Sequence, residues 1–331
     1  MAPYRLYDSG MLPRPTPRTV RRLALASIVA NSAIVVTGGA VRLTASGLGC
    51  PTWPRCTTTT YTPTPEYAVH GVIEFGNRLL TFALTAVVLA CLVAVWRQRP
   101  VRPGMRLLAS LVFVGIPAQA LLGGVTVLTG LNPWSVMAHF LLSMVLIALA
   151  VGLHQRAREG DLPARPVIDE PVRGLAVGVL VLVAATLVAG TVVTGSGPHS
   201  GDPAAGRTGL DPELLSRLHG NLVVLLIGLT VALYICLRRG GAPACAVRAT
   251  GVLLGVELAQ GALGVVQYVT DLPVLLVGLH LLGACLVQIS AVQAVLALRD
   301  RGPAAQRRTV PTDDQTTIPA RVASGAASGP P

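Results

Sequence analysis

Charge is scarce in this chain: 12% of its 331 residues are Asp, Glu, Lys or Arg, against 52% hydrophobic, and the mean hydropathy is +0.63. That scarcity excludes an ordinary soluble domain. Lysine is missing altogether, so all 26 basic residues are Arg. A net charge of +11 would suit a nucleic-acid binder, but the placement of the Arg residues removes that reading. Twenty-one lie in the two tails and in the loops at 97–106, 156–173 and 238–248. The remaining connections hold only Arg42, Arg55, Arg207 and Arg217, and Arg78 falls in an apolar run. By the positive-inside rule both termini are expected in the cytoplasm. No small-residue cleavage site follows the first apolar run, which is therefore expected to stay as an anchor. Paired interruptions at the membrane midplane are also lacking, which counts against a transporter.

What the chain does have is eight apolar runs, at about 20–40, 68–96, 107–129, 134–153, 174–194, 212–237, 247–269 and 273–298. Each is long enough to cross a hydrocarbon core of about 30 Å as a helix. Spans three and four repeat as spans seven and eight. Gln119, Leu122, Gly123, Val125, Thr129, Leu131, Val136 and His139 match Gln260, Leu263, Gly264, Val266, Thr270, Leu272, Val277 and His280 at one offset of 141. TASG at 44–47 and TGSG at 194–197 add a looser match at an offset of 150. Halves of four spans share an orientation, so the expected fold is an all-α integral membrane protein of two tandem, pseudo-symmetric four-helix bundles. The expected divisions are a tail at 1–19, a first bundle at 20–155, a linker at 156–173, a second bundle at 174–298 and a disordered tail at 299–331, rich in small and polar residues.

His70, His139, His219 and His280 each lie just inside spans two, four, six and eight, near the outer surface. An interhelical hydrogen bond would account for any one of them, but four at similar depth point to ligands. Paired histidines on separate helices suit a haem iron better than a structural zinc, which takes four N or S ligands at close spacing. Arg42 and Arg217, near the same edge, are candidates for holding haem propionates, with boundary charges as the alternative. His154 and His199 read as surface residues. Glu257, within span seven, either joins a polar network or keeps its proton.

Span two carries a polar seam. In HGVIEFGNRLL, residues 70–80, positions 70, 74 and 77 share a helical stripe with 78 beside it. Arg78 can pair with Glu74 one turn away, either to set its charge state or only to tie helices together. Cys50 and Cys56 bracket PTWPR in an outer loop, where an oxidising compartment favours a short-loop disulfide over two free thiols; stapling is its simplest role. Cys91, Cys236, Cys245 and Cys285 read as buried or reduced thiols.

TGGAVRLTASGLGCPTWPRC at 37–56, with IEFGNRLL at 73–80, resembles the haem A synthase family, in its bacterial, actinobacterial-like form. The resemblance covers about residues 20–298. It implies an oxidoreductase of the cell membrane that oxidises a methyl group of haem O to a formyl, giving haem A for terminal oxidase assembly. It implies haem b held by His219 and His280 in the C-terminal half, and haem O in the N-terminal half with His139 as an iron ligand and Glu74 as catalytic residue. Implied partners are haem O synthase and the oxidase assembly machinery; membrane lipid and a second copy of the chain are further candidates. One departure stands out. The family's ExxHR reads here as Glu74, Asn77 and Arg78, so asparagine occupies the ligand position. Either His70 replaces that ligand or His139 holds the substrate iron alone. The rival reading is a dihaem electron carrier that leaves haem unmodified.

Overall fold

The structure, a computed structural model, describes residues 14–302. Eight helices carry it: α1 Pro17–Leu43, α2 Ala68–Arg97, α3 Pro103–Leu128, α4 Pro133–Arg156, α5 Glu170–Ser196, α6 Pro212–Arg239, α7 Ala244–Val269 and α8 Val274–Leu296. All eight are long and apolar enough to cross a membrane, so the chain is a multi-pass membrane protein. Their starts follow local chemistry. Proline opens α1, α3, α4, α5 and α6, where its missing N–H costs nothing. Thr16, Asn132 and Asp211 accept from the free first-turn N–H groups of Thr19, Trp134 and Glu213.

Helices α1 to α4 pack in a ring, as do α5 to α8. The rings meet where α4 lies on α8, α1 on α8 and α4 on α5, so exchanging each helix for the one four later leaves the set of contacts unchanged. Ile28, Val88, Val112 and Ile147 sit in the first core, and Val179, Leu233, Leu253 and Ala291 in the second. Helices α2, α4, α6 and α8 start at the end that carries the 44–67 and 197–211 connections, called the outer end below.

Two expected boundaries shift. Helix α1 begins inside the stretch expected as a tail. Residues 299–302, expected as disordered, are structured: Arg299–Asp300 (β2) pairs antiparallel with Arg165–Pro166 (β1), and the Gly160 N–H donates to the Gly302 carbonyl at 2.8 Å. Backbone hydrogen bonding to the α4–α5 connection, invisible in a polar sequence, extends the ordered chain. The rest of the expected tails, 1–13 and 303–331, lies outside the described residues.

Candidate functional site

The first turns of α2 meet the outer loop through small residues. A methyl group on Gly71 would lie 2.8 Å from Pro63 Cβ and 3.2 Å from the Gly49 carbonyl oxygen, so only glycine lets the loop approach this closely. That contact brings the loop over the polar seam. Cys50 and Cys56 are disulfide-bonded and fully buried. Glu74, 5% exposed, accepts from the Cys50 N–H at Oε2 (2.6 Å) and from Arg78 Nη2 at Oε1 (2.6 Å). Arg78 also donates to the Cys50 carbonyl (2.8 Å) and, through Nη1, to the carbonyls of Thr52 (3.0 Å) and Arg55 (3.2 Å). The ion pair thus clamps the disulfide loop onto α2. A carboxylate can accept about four hydrogen bonds, so Glu74 keeps lone pairs beyond these two.

His70 is exposed, and its Nδ1 is hydrogen-bonded to Ser46 Oγ at 2.9 Å. Asn77, seven residues further in, is half-buried with its Oδ1 buried and unpartnered. His139, His219 and His280 are likewise half-buried, and among the described residues the Nδ1 of each lacks a hydrogen-bond partner; the His219 ring also lies close to the Thr186 backbone.

Each of these rings rests on a glycine of the preceding helix. A methyl on Gly123, Gly190 or Gly264 would stand 3.1, 3.1 or 3.3 Å from Cε1 of His139, His219 or His280. Asn77 has the matching neighbour, since a methyl on Gly38 would lie 3.8 Å from its Nδ2. The backbone beneath the rings repeats as well: Gln119 Nε2 donates to the His139 carbonyl (3.1 Å) and Gln260 Nε2 to the His280 carbonyl (2.8 Å). Gly38, Gly190 and the use of the two glutamines escape a reading of the sequence. The repeat contained Gly123, Gly264, Gln119 and Gln260, and offered the only signal.

The other candidates fall elsewhere. Arg42 donates Nε to the His199 carbonyl (2.5 Å) and Nη2 to that of Thr194 (2.8 Å), while His199 Nε2 is hydrogen-bonded to the Leu272 carbonyl (2.9 Å). Arg42 therefore straps the outer end of α1 to the second half, where His199 ties the α5–α6 connection to the α7–α8 connection. Arg42→Ala is expected to lower stability by about 2 kcal/mol, the scale of charge-assisted hydrogen bonds. Thermal unfolding and faster tryptic cleavage after Arg207 would register it. Arg217, 72% exposed at its side chain, pairs with Glu213 on the surface. His154 is half-buried in the last turn of α4, at the opposite end. Glu257, 3% exposed, accepts from Thr230 Oγ1 (3.1 Å), and its Oε2 has no partner.

Residues 21–198 match the sequence profile of the COX15-CtaA family, described as cytochrome oxidase assembly proteins. The chain is similar to the heme A synthase of Lysinibacillus sphaericus, 32% identical over 44% of this chain and 47% of that protein. It is also similar to that of Bacillus pumilus, 36% identical over 35% and 38%, and to that of Symbiobacterium thermophilum, 32% identical over 50% and 57%. The matched segments span about half the length of these curated relatives.

Proposed function

We propose, from the premise that the chain belongs to the COX15-CtaA family of cytochrome oxidase assembly proteins, that it is a haem A synthase, oxidising the methyl group of haem O to a formyl. The observation that carries this reading is the buried Glu74, which joins the disulfide loop to the helix face bearing Asn77, in the half that also contains His139. An electron carrier has no need of such an arrangement.

The packing suits a flat apolar macrocycle best in the C-terminal half, where three of the four helices bury nothing outside the histidine level. On α4, α6, α7 and α8 the buried residues lie on the inner side of the histidine level, whereas α1, α2, α3 and α5 also bury residues outside it, where the connections fold back. Around the rings themselves the side chains are less tightly enclosed. Close packing is the norm in a protein interior, so this loosening at one level, together with glycine-backed rings whose Nδ1 atoms lack partners, fits haem. His219 and His280 would hold haem b in the C-terminal half, and His139 the iron of haem O in the other. Haem iron supplies one-electron redox chemistry when bound.

Around the substrate methyl group this chain's own residues would act electrostatically. Glu74, fixed by the Cys50 N–H and Arg78, offers carboxylate lone pairs as a proton acceptor or stabilises developing positive charge. The loop excludes water from that side. In the cell we place the protein in the plasma membrane with both termini in the cytoplasm, taking haem O from haem O synthase and supplying terminal oxidase assembly.

Purified protein given haem O, with pigments identified by chromatography and mass spectrometry, tests the proposal. Haem A is the expected product; haem b alone, with no conversion, would make the protein an electron carrier. His280→Ala is expected to reduce retained haem b by at least about tenfold, since even outer-shell partners are worth that much. Pyridine haemochrome measurement reads the loss, and free-thiol labelling should find the Cys50–Cys56 bond intact.

A further inference from the structure

At the inner end, three separate segments are tied into one knot. The Val167 N–H donates to the Leu298 carbonyl at 3.0 Å, next to the β1–β2 pair. Arg102, from the α2–α3 connection, donates Nε to Asp161 Oδ1 (2.6 Å) and Nη2 to the Glu159 carbonyl (2.8 Å). Arg156, ending α4, reaches Glu159 Oε2 (3.3 Å), Asp161 Oδ1 (3.4 Å) and the Gly160 carbonyl (3.1 Å). Gln155 Nε2 takes the other oxygen of Glu159 at 2.9 Å.

Two further guanidinium groups crowd the same carboxylate without bonding it well. Arg299 Nη2 and Arg301 Nε come only to 3.5 and 3.7 Å from Glu159 Oε2, beyond useful hydrogen-bond range. Among the described residues, the Nε atoms of both are buried and have no acceptor. Burial, then Arg156 and Arg299, push the pKa of Arg301 below its ordinary value, against the pull of Glu159 and Asp161. Among the described residues, four Arg thus face two carboxylates. Asp300, the next acidic residue, has its Oδ1 turned to the Gly302 N–H at 2.8 Å, and counting it still leaves positive charge in excess.

Unmet guanidinium donors and surplus positive charge call for an anion with several acceptor oxygens, and phosphate meets the planar donor array of Arg best. The position selects the source. Exposed Trp96, at the inner end of α2 with Arg106 stacked 4.8 Å from its ring, marks the depth where membrane-facing Trp meets the headgroups. Basic pockets at that depth face the leaflet that carries anionic lipid.

We propose that Arg102, Arg156, Arg299 and Arg301 form a binding site for the phosphodiester of an anionic phospholipid, at the inner ends of α4 and α8. One bound headgroup would then join the two halves and the segment that follows α8. The site is separate from the haem chemistry and stands or falls without it.

The test is thermal unfolding of the purified full chain in detergent, titrated with phosphatidylglycerol, phosphatidylcholine or sodium phosphate. Phosphatidylglycerol is expected to raise the Tm and phosphatidylcholine to leave it unchanged. The R299Q/R301Q variant should weaken phosphatidylglycerol affinity, read from the concentration that gives half the Tm rise, by about thirtyfold. R299K/R301K, which keeps the charges but loses the Nε donors, should fall between; native mass spectrometry of retained phosphatidylglycerol checks both variants, with an unchanged Tm in the absence of lipid as the folding control. An equal response to phosphatidylcholine, or no loss in R299Q/R301Q, overturns the site. Full stabilisation by sodium phosphate at the same concentration overturns the lipid assignment in favour of free phosphate.

Discussion

Glu74→Ala is expected to abolish haem A formation, by about 10²–10⁴-fold if the carboxylate moves or stabilises a proton in the reaction. The same change also removes the acceptor for the Cys50 N–H and the partner of Arg78. Leaving a buried N–H unsatisfied costs about 1–3 kcal/mol, so this variant should also loosen the disulfide loop. Glu74→Gln separates the two effects. Its amide oxygen can still accept from Cys50, and Arg78 keeps its three backbone carbonyls, so the loop should stay seated. The negative charge is nevertheless gone. Haem A yield by mass spectrometry should therefore collapse in both variants, whereas reductant sensitivity of the Cys50–Cys56 bond should rise only in Glu74→Ala. Normal yield in Glu74→Gln would reduce the residue to a loop anchor.

The two properties of Glu74 were not equally legible in the sequence. Its place on the seam of α2 follows from helical period, and Arg78 four residues on follows from the same rule. The eight helices were legible for a stronger reason: in hydrocarbon every backbone group must be satisfied within its own segment, so long apolar runs have little choice. Contacts made by irregular chain carry no such period. The bond from Glu74 back to Cys50 spans 24 residues, and the bonds of Arg42 to Thr194 and His199 span 152 and 157. Such bonds depend on how the connections fold over the helix ends, which is why Arg42 read as a cofactor candidate. Gly38 and Gly190 stayed hidden because a glycine in a membrane helix is common, and its meaning lies in the side chain opposite, Asn77 or His219.

That ring geometry makes Asn77→His the most informative gain of function. Asn77 faces Gly38 as His219 faces Gly190, and His139 lies against Gly123 in the same bundle. An imidazole at position 77 would place a second histidine at the level of His139 in the N-terminal half without disturbing Glu74 or Arg78, whose bonds run to the loop. Haem O retention should rise by at least about 10-fold, because a direct ligand exceeds the 10–100-fold worth of an outer-shell partner. Electron paramagnetic resonance should gain a second low-spin signal, and turnover should fall because the added imidazole would compete for the iron. His70→Ala provides the opposing case. His70 lies seven residues nearer the outer end, a rise of about 10 Å, and is exposed on Ser46. Its loss should leave haem content and spectra unchanged. If His70→Ala instead emptied the N-terminal half of haem O, His70 would be the ligand that takes the place of Asn77, and the outer turn of α2 would have to move inward when substrate binds.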